Sequence, residues 1–127
     1  MQNDLPVLIK SLTNPACYRH PVDAVTVMET HISYILLTGS YAYKIKKPLD
    51  LGFLDFSTLD KRCFFCHEEL RLNRRLAPQI YLEVVPISGT AAHPRVEGAA
   101  QAIEYAVKMV QFPQDGMLDI LLQQNRL

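Results

Sequence analysis

The dipeptide Gly39-Ser40 lies between two apolar, β-branched segments and leaves no room for a helix between them. Glycine accepts the positive φ that a tight hairpin turn requires, so residues 33–38 and 41–47 are predicted to form paired strands. Residues 24–29 show the same alternation just upstream. Three successive strands without a helix between them indicate an antiparallel sheet, and hence an α+β fold.

The rest of the chain adds two strands and several helices to this sheet. Residues 57–60, Ser-Thr-Leu-Asp, match a capping box with Ser57 as the cap, and Pro78 ends the helix that follows. The predicted fold is a five-stranded, mainly antiparallel sheet with one long packed helix and short flanking helices. The predicted elements are a helix at 5–13, strands at 24–29, 33–38 and 41–47, a helix at 57–76, strands at 80–87 and 103–112 around a loop at 88–100, and a helix at 115–124.

Length and charge bound the class of protein. The 127 residues suffice for one domain, and their 49% hydrophobic and 20% charged composition is that of a globular chain. Thirteen basic residues balance thirteen acidic ones, so we expect neither a nucleic acid nor a membrane as partner. The absence of an export-like leader, together with an odd number of cysteines, three, favours a cytoplasmic location.

A lysine on the third strand and a glutamate on the long helix are the candidate functional residues. Alternation along the third strand places Ala42, Lys44 and Lys46 on one face. Spacing the long helix at about 100° per residue places Glu69 and Asn73 inside its apolar arc. That predicted arc otherwise consists of Leu59, Cys63, Phe65, Cys66, Leu70, Leu72, Leu76 and Ala77.

An unpaired carboxylate in such an arc costs several kcal/mol, so Glu69 requires a partner, and Lys44 on the adjacent sheet is the expected one. Two other interpretations stay open. Lys44 is a solvated lysine on a half-exposed sheet, or Glu69 reaches a backbone donor or the widened edge of the helix face. Glu68, outside the arc, is the weaker alternative to Glu69.

These segments resemble a known fold. Residues 39–45, Gly-Ser-Tyr-Ala-Tyr-Lys-Ile, are similar to the second and third strands of the protein-kinase fold. Residues 31–86 resemble more closely the N-terminal lobe of aminoglycoside-phosphotransferase-like proteins, in the branch often fused to a P-loop ATPase or kinase domain. Leu-Gly-Phe-Leu-Asp-Phe at 51–56 and Glu-Glu-Leu-Arg-Leu-Asn-Arg-Arg-Leu-Ala-Pro at 68–78 carry this resemblance. Residues 104–113 are similar to the fifth strand and hinge of that family.

The resemblance implies an ATP site. Lys44 would hold the nucleotide phosphates and Glu69 would orient Lys44. Ala42 would contact the adenine, and Met109 would stand at the back of its pocket. The backbone of Val110 and Phe112 would hydrogen-bond the adenine edge.

Two features depart from the family. The first hairpin, residues 29–33, has no Gly-x-Gly-x-x-Gly loop to cover phosphates. No His-Gly-Asp or His-Arg-Asp element and no Asp-Phe-Gly-like magnesium ligand follow Phe112. We therefore expect a truncated or excised lobe that is inactive alone, with magnesium bound only when a C-terminal lobe is present. Residues 1–22 would form a helix and loop, 23–112 the sheet and long helix, and 113–127 the hinge and the start of the next helix.

Other interpretations compete with this one. The chain is alternatively a stand-alone interaction module that uses residues 110–122 to bind a missing lobe, another protein or a second copy. Cys63-Phe-Phe-Cys66-His67 matches a haem-attachment spacing, but mid-helix cysteines on an apolar arc indicate core residues. Zinc would need two more ligands, which have no supporting spacing. Arg71, Arg74 and Arg75 indicate a solvated helix face more than an anion patch.

Overall fold

The computed structural model of this chain describes residues 5–111. Their helices and strands are, in chain order, α1 (Leu5–Ser11), a short 3-10 helix (Pro15–Cys17), β1 (Thr26–Glu29), β2 (Ser33–Leu37), β3 (Tyr41–Lys46), α2 (Leu59–Arg74), β4 (Tyr81–Gly89), β5 (Pro94–Val96) and β6 (Ala102–Val110). The strands form one sheet in the order β1-β2-β3-β6-β4-β5. All of its neighbouring strands run antiparallel, so the predicted α+β fold with an antiparallel sheet is confirmed.

The hairpin between β2 and β3 forms where it was predicted. Gly39 has a φ of 101°, and the backbone N–H of Thr38 donates to the carbonyl of Tyr41 across the turn. The turn sets the register of the two strands, which places Ile35 directly opposite Lys44. β3 then lies between β2 and β6 as an inner strand of the sheet, and all of its residues after Tyr41 are buried.

The number of strands differs from the prediction. The described residues contain six strands, because Pro94–Val96 forms β5 inside the segment predicted as a loop. This strand has three residues and starts with proline, which is tolerated at the edge of a sheet, where no ladder donor is needed. The predicted helix at 115–124 lies outside the described residues.

The start of α2 also differs by one residue. Thr58, rather than Ser57, is the cap: its side chain accepts the backbone N–H of Lys61 at 3.2 Å. The Ser57 N–H is instead bonded to the side chain of Asp55. Thr58 has an extended backbone, as a capping residue requires, and the helix begins after it.

The sheet separates two buried clusters. The α1-side core contains Leu5, Leu8, Ile9, Leu12, Cys17, Tyr18, Leu36, Tyr43, Ile45, Val85, Ile87, Val96 and Ala106. The α2-side core contains Ile35, Ala42, Cys66, Tyr81, Val107 and Met109. Alternation along β3 therefore operates as predicted, with Tyr43 in the first core and Ala42 in the second.

Part of the predicted apolar arc of α2 is wrong. Cys66 is buried and Leu70 packs against the α2-side core, but Leu72 is 49% exposed and Leu76 is 85% exposed. The helix packs on β4 and β6, and this contact covers a narrower stripe than the arc drawn from the sequence. Leu72 near the end of α2, and Leu76 just beyond it, are therefore left exposed.

Candidate functional site

Lys44 and Glu69 meet between β3 and α2. The Nζ of Lys44 lies 3.0 Å from Oε2 of Glu69, and the lysine is only 4% exposed. The expected partner of Glu69 is therefore confirmed, and the interpretation of Lys44 as a solvated surface lysine is wrong. Glu68 pairs with Arg71 on the outer face of the helix and takes no part in this contact.

A second lysine shares the same carboxylate. The Nζ of Lys46 lies 2.6 Å from Oε1 of Glu69, so each carboxylate oxygen receives one ammonium group. Lys46 is 5% exposed, and its ammonium also lies 5.0 Å from the centre of the Phe56 ring. The sequence pattern placed Lys46 on the face of Lys44 but assigned it no role.

Burial and charge act on these groups in opposite directions. Burial would raise the pKa of Glu69, but Lys44 and Lys46 together hold it below its usual value. The pKa of Lys44 is lowered, chiefly by burial, with a smaller contribution from the charge of Lys46, although Glu69 opposes both. One carboxylate thus serves two cations and does not fully compensate them.

A cavity of about 340 Å³ opens beside these charges. Its polar lining comes from Lys44, Lys46, Glu68, Glu69 and Asn73. The remaining walls are apolar and are formed by Ile32, Leu54, Phe56, Phe64, Phe65 and Leu72. An anionic group attached to a flat or apolar body would find complementary chemistry here.

The residues predicted to contact adenine occupy different surroundings. Ala42 and Met109 are direct neighbours on β3 and β6, but they are 0% and 2% exposed inside the α2-side core. The N–H of Val110 donates to the carbonyl of Ile80 at 2.8 Å. Phe112 lies outside the described residues. The adenine contacts thus stay a prediction, and the cavity borders the lysines rather than Ala42 or Met109.

Sequence reasoning also missed a second buried ion pair. Arg62 of α2 donates through Nε to Glu104 of β6 at 3.0 Å and through Nη1 to the carbonyl of Phe56 at 2.9 Å. Burial raises the pKa of Glu104 even though Arg62 opposes the shift. Arg62 precedes Glu69 by seven residues, about two helical turns, so this spacing could have identified it as another charge on the sheet-facing side.

The cysteine and histidine side chains of the motif at residues 63–67 do not form a metal-binding site within the described part of the chain. Cys66 is buried, and burial raises its pKa to about 12, while His67 is exposed. Residues 5–111 contain no group of three or more His, Cys, Asp or Glu side chains positioned to hold a metal ion. None of the helices in this part of the chain has the length and apolar character needed to cross a bilayer.

Comparison with known proteins gives a partial match. The chain is 41% identical over 75 residues to uncharacterized proteins of Mycobacterium tuberculosis, strains H37Rv and CDC 1551, and of Mycobacterium bovis. The matched region covers 57% of this chain and 15% of each relative, so the chain spans only a small part of their length. No family model and no solved structure matches it.

Proposed function

We propose that this chain is the ATP-binding lobe of a phosphotransferase of the aminoglycoside-phosphotransferase-like family, which has a protein-kinase-like fold. The buried contact between Lys44 and Glu69 is the observation that carries the proposal. In protein kinases, a lysine on the third strand and a glutamate on the following helix form the ion pair needed to hold ATP phosphates. Here the lysine is on β3 and the glutamate is on α2, the next helix.

The proposal concerns binding rather than catalysis. The chain contributes the lysine, its orienting glutamate and a cavity beside them, and these groups fit a phosphate ligand. Its sequence contains no catalytic-loop element to supply the base that accepts a hydroxyl proton, so transfer would need a second lobe carrying that base and the magnesium ligands. A cytoplasmic location, where ATP is abundant, belongs to the same proposal.

Titration with a fluorescent ATP analogue tests the nucleotide assignment. The Lys44→Met variant keeps the aliphatic stem and removes the charge, so it should weaken binding at least about tenfold, as expected for a lost charge-assisted hydrogen bond. Lys47→Met is a matched control, because the Lys47 ammonium is directed to Glu29 and lies over Tyr34 instead. If Lys44→Met binds the analogue as the unsubstituted chain does, the nucleotide assignment is wrong.

A second function, as an interaction module, has one observation in its favour. Phe64 and Leu72 of α2 are large apolar residues that are 57% and 49% exposed, and Leu76, two residues beyond the end of the helix, is 85% exposed. Phe64 and Leu72 are eight residues apart, so they lie on the same side of the helix. The surface expected from the sequence, residues 110–122, falls almost entirely outside the described residues, so α2 is the better-supported docking surface.

Analytical ultracentrifugation tests this second function. If α2 mediates self-association, the chain should show a concentration-dependent sedimentation coefficient, and Leu72→Lys with Leu76→Lys should abolish it. Val7→Lys, at an exposed apolar residue on α1, is the control and should leave association unchanged. A strictly monomeric chain over the full concentration range argues against self-association.

A further inference from the structure

The two buried lysines leave the site with an unbalanced charge. With both ammonium groups protonated, Lys44, Lys46 and Glu69 together carry one net positive charge. Among residues 5–111, no other carboxylate forms an ion pair with either lysine. A buried charge without full compensation is costly, and charges held in this way cluster at binding and catalytic sites, although structural ion-pair networks contain them too.

An unsatisfied hydroxyl lies at the same end of the site. Ser33 of β2 is directly opposite Lys46 of β3, so the two side chains share one face of the sheet. The Ser33 Oγ is buried and has no hydrogen-bond partner within the described part of the chain. Buried hydroxyls normally bond to protein or to ordered water, so this one marks a polar position next to Lys46, although Ser33 itself does not line the cavity.

Access comes through the cavity on this side of the sheet. Lys46 lines that cavity together with Lys44, and the ring of Phe56 stabilises the Lys46 ammonium at the cavity wall. Both lysines line this cavity, and Glu69 accepts one ammonium group on each of its carboxylate oxygens.

We infer that Lys46 is a second phosphate-binding residue of this site, and that Lys44 and Lys46 together bind two neighbouring phosphoryl groups of a polyphosphate chain. One carboxylate keeps the ammonium groups close enough to act on adjacent phosphates while leaving their remaining donors free for ligand oxygens. That the ligand is a nucleotide rests on the proposed function. Binding by the lysine pair requires only that the ligand has a polyphosphate chain.

The test compares binding of tripolyphosphate, ATP and adenosine by isothermal titration calorimetry. Lys46→Met should weaken both tripolyphosphate and ATP about tenfold or more, the loss expected when a charge-assisted contact is removed, and leave adenosine unchanged. Lys47→Met is the control and should bind all three as the unsubstituted chain does. The melting temperature of Lys46→Met should be unchanged or higher, because Lys44 and Glu69 then remain as a balanced pair.

The outcomes separate the two proposals. Loss of tripolyphosphate binding in Lys46→Met supports phosphate binding by the lysine pair. If the unsubstituted chain also binds ATP no more tightly than tripolyphosphate, the nucleotide assignment is wrong. ATP binding that depends on Lys44 but is unchanged in Lys46→Met overturns the role of Lys46 and leaves the nucleotide assignment in place. No tripolyphosphate binding by the unsubstituted chain also overturns the inference, as does a loss of binding in Lys46→Met that is accompanied by unfolding.

Discussion

Glu69 is the residue on which the buried charges depend. Its two carboxylate oxygens accept from two different ammonium groups, at 3.0 Å from Lys44 and 2.6 Å from Lys46. Removing either lysine leaves a one-to-one ion pair. Removing the carboxylate instead leaves two buried cations facing each other, so the three residues are unequal in their effect on stability.

Glu69→Gln should therefore destabilise the chain strongly. The expected loss is about 3–5 kcal/mol in the free energy of unfolding, the range for breaking a buried ion pair by removing one partner. Urea denaturation followed by circular dichroism measures it. Glu68→Gln is the matched control on the adjacent residue, and should change the urea midpoint little because the pair of Glu68 with Arg71 lies on the exposed face.

The contribution of Glu69 should also depend on pH. Its pKa is lowered in the folded chain, so its stabilisation is fully present above about pH 4.5, the value of an unperturbed carboxyl, and is lost as the pH falls through the folded pKa. The difference in unfolding free energy between the unsubstituted chain and Glu69→Gln should shrink between pH 6 and pH 3. Taking this difference removes the effects of the other carboxylates. A difference that is constant over this range contradicts the lowered pKa.

The pairing of Lys44 with Glu69 could be predicted from the sequence, while the role of Lys46 could not. Strand alternation and helix periodicity are local properties, and together they placed Lys44 and Glu69 on facing surfaces. Whether one carboxylate accepts from one lysine or two depends on the position of α2 along β3, which only tertiary packing fixes. Arg62 was missed for a related reason, since its partner Glu104 belongs to a strand 42 residues away.

At the scale of elements, α2 connects the buried charges to the sheet. Its first turns hold Arg62 against Glu104 of β6, and two turns later it holds Glu69 against β3. A shift of the helix by one residue would move both charges away from their partners. The position at which α2 begins is thus coupled to the geometry of the candidate site.

Thr58→Ala tests which residue defines that start. The Thr58 side chain accepts the N–H of Lys61, and loss of such a cap costs about 1 kcal/mol in the free energy of unfolding. Ser57→Ala is the matched control and should change stability much less, because the cap lies one residue later than the capping-box pattern predicts. Equal losses in the two variants would indicate that Ser57 contributes to the cap as well.

Most of the helices and strands could be predicted from the sequence. The prediction was wrong where the conformation of a segment is determined by the elements packed against it. β5 has three residues and no measurable periodicity, and it exists because Val96 and Arg95 pair with Ile87 and Ser88 of β4. The apolar arc of α2 was drawn too wide for a similar reason. Helix periodicity shows which residues are apolar, but the width of the buried stripe is set by the sheet beneath it.

At the scale of the whole molecule, one sheet supports two cores that share their strands. Leu36 of β2 and Tyr43 of β3 face the α1-side core, and Ile35 and Ala42 beside them face the α2-side core. Because both cores are built on the same strands, unfolding of the strands under one core would also expose the other core. We therefore expect the described part of the chain to unfold as a single cooperative unit, even though its two helices lie on opposite faces.

Two isoleucines that are both 0% exposed test this coupling, Ile87 in the α1-side core and Ile35 in the α2-side core. Ile87→Val and Ile35→Val each remove one methylene, so each should lower the free energy of unfolding by about 0.5–1.5 kcal/mol. In urea, far-UV circular dichroism and tyrosine fluorescence should report coincident transitions for both variants, since tyrosines lie in both cores. A variant whose two signals separate would show that the two cores do not unfold together, which contradicts a single cooperative unit.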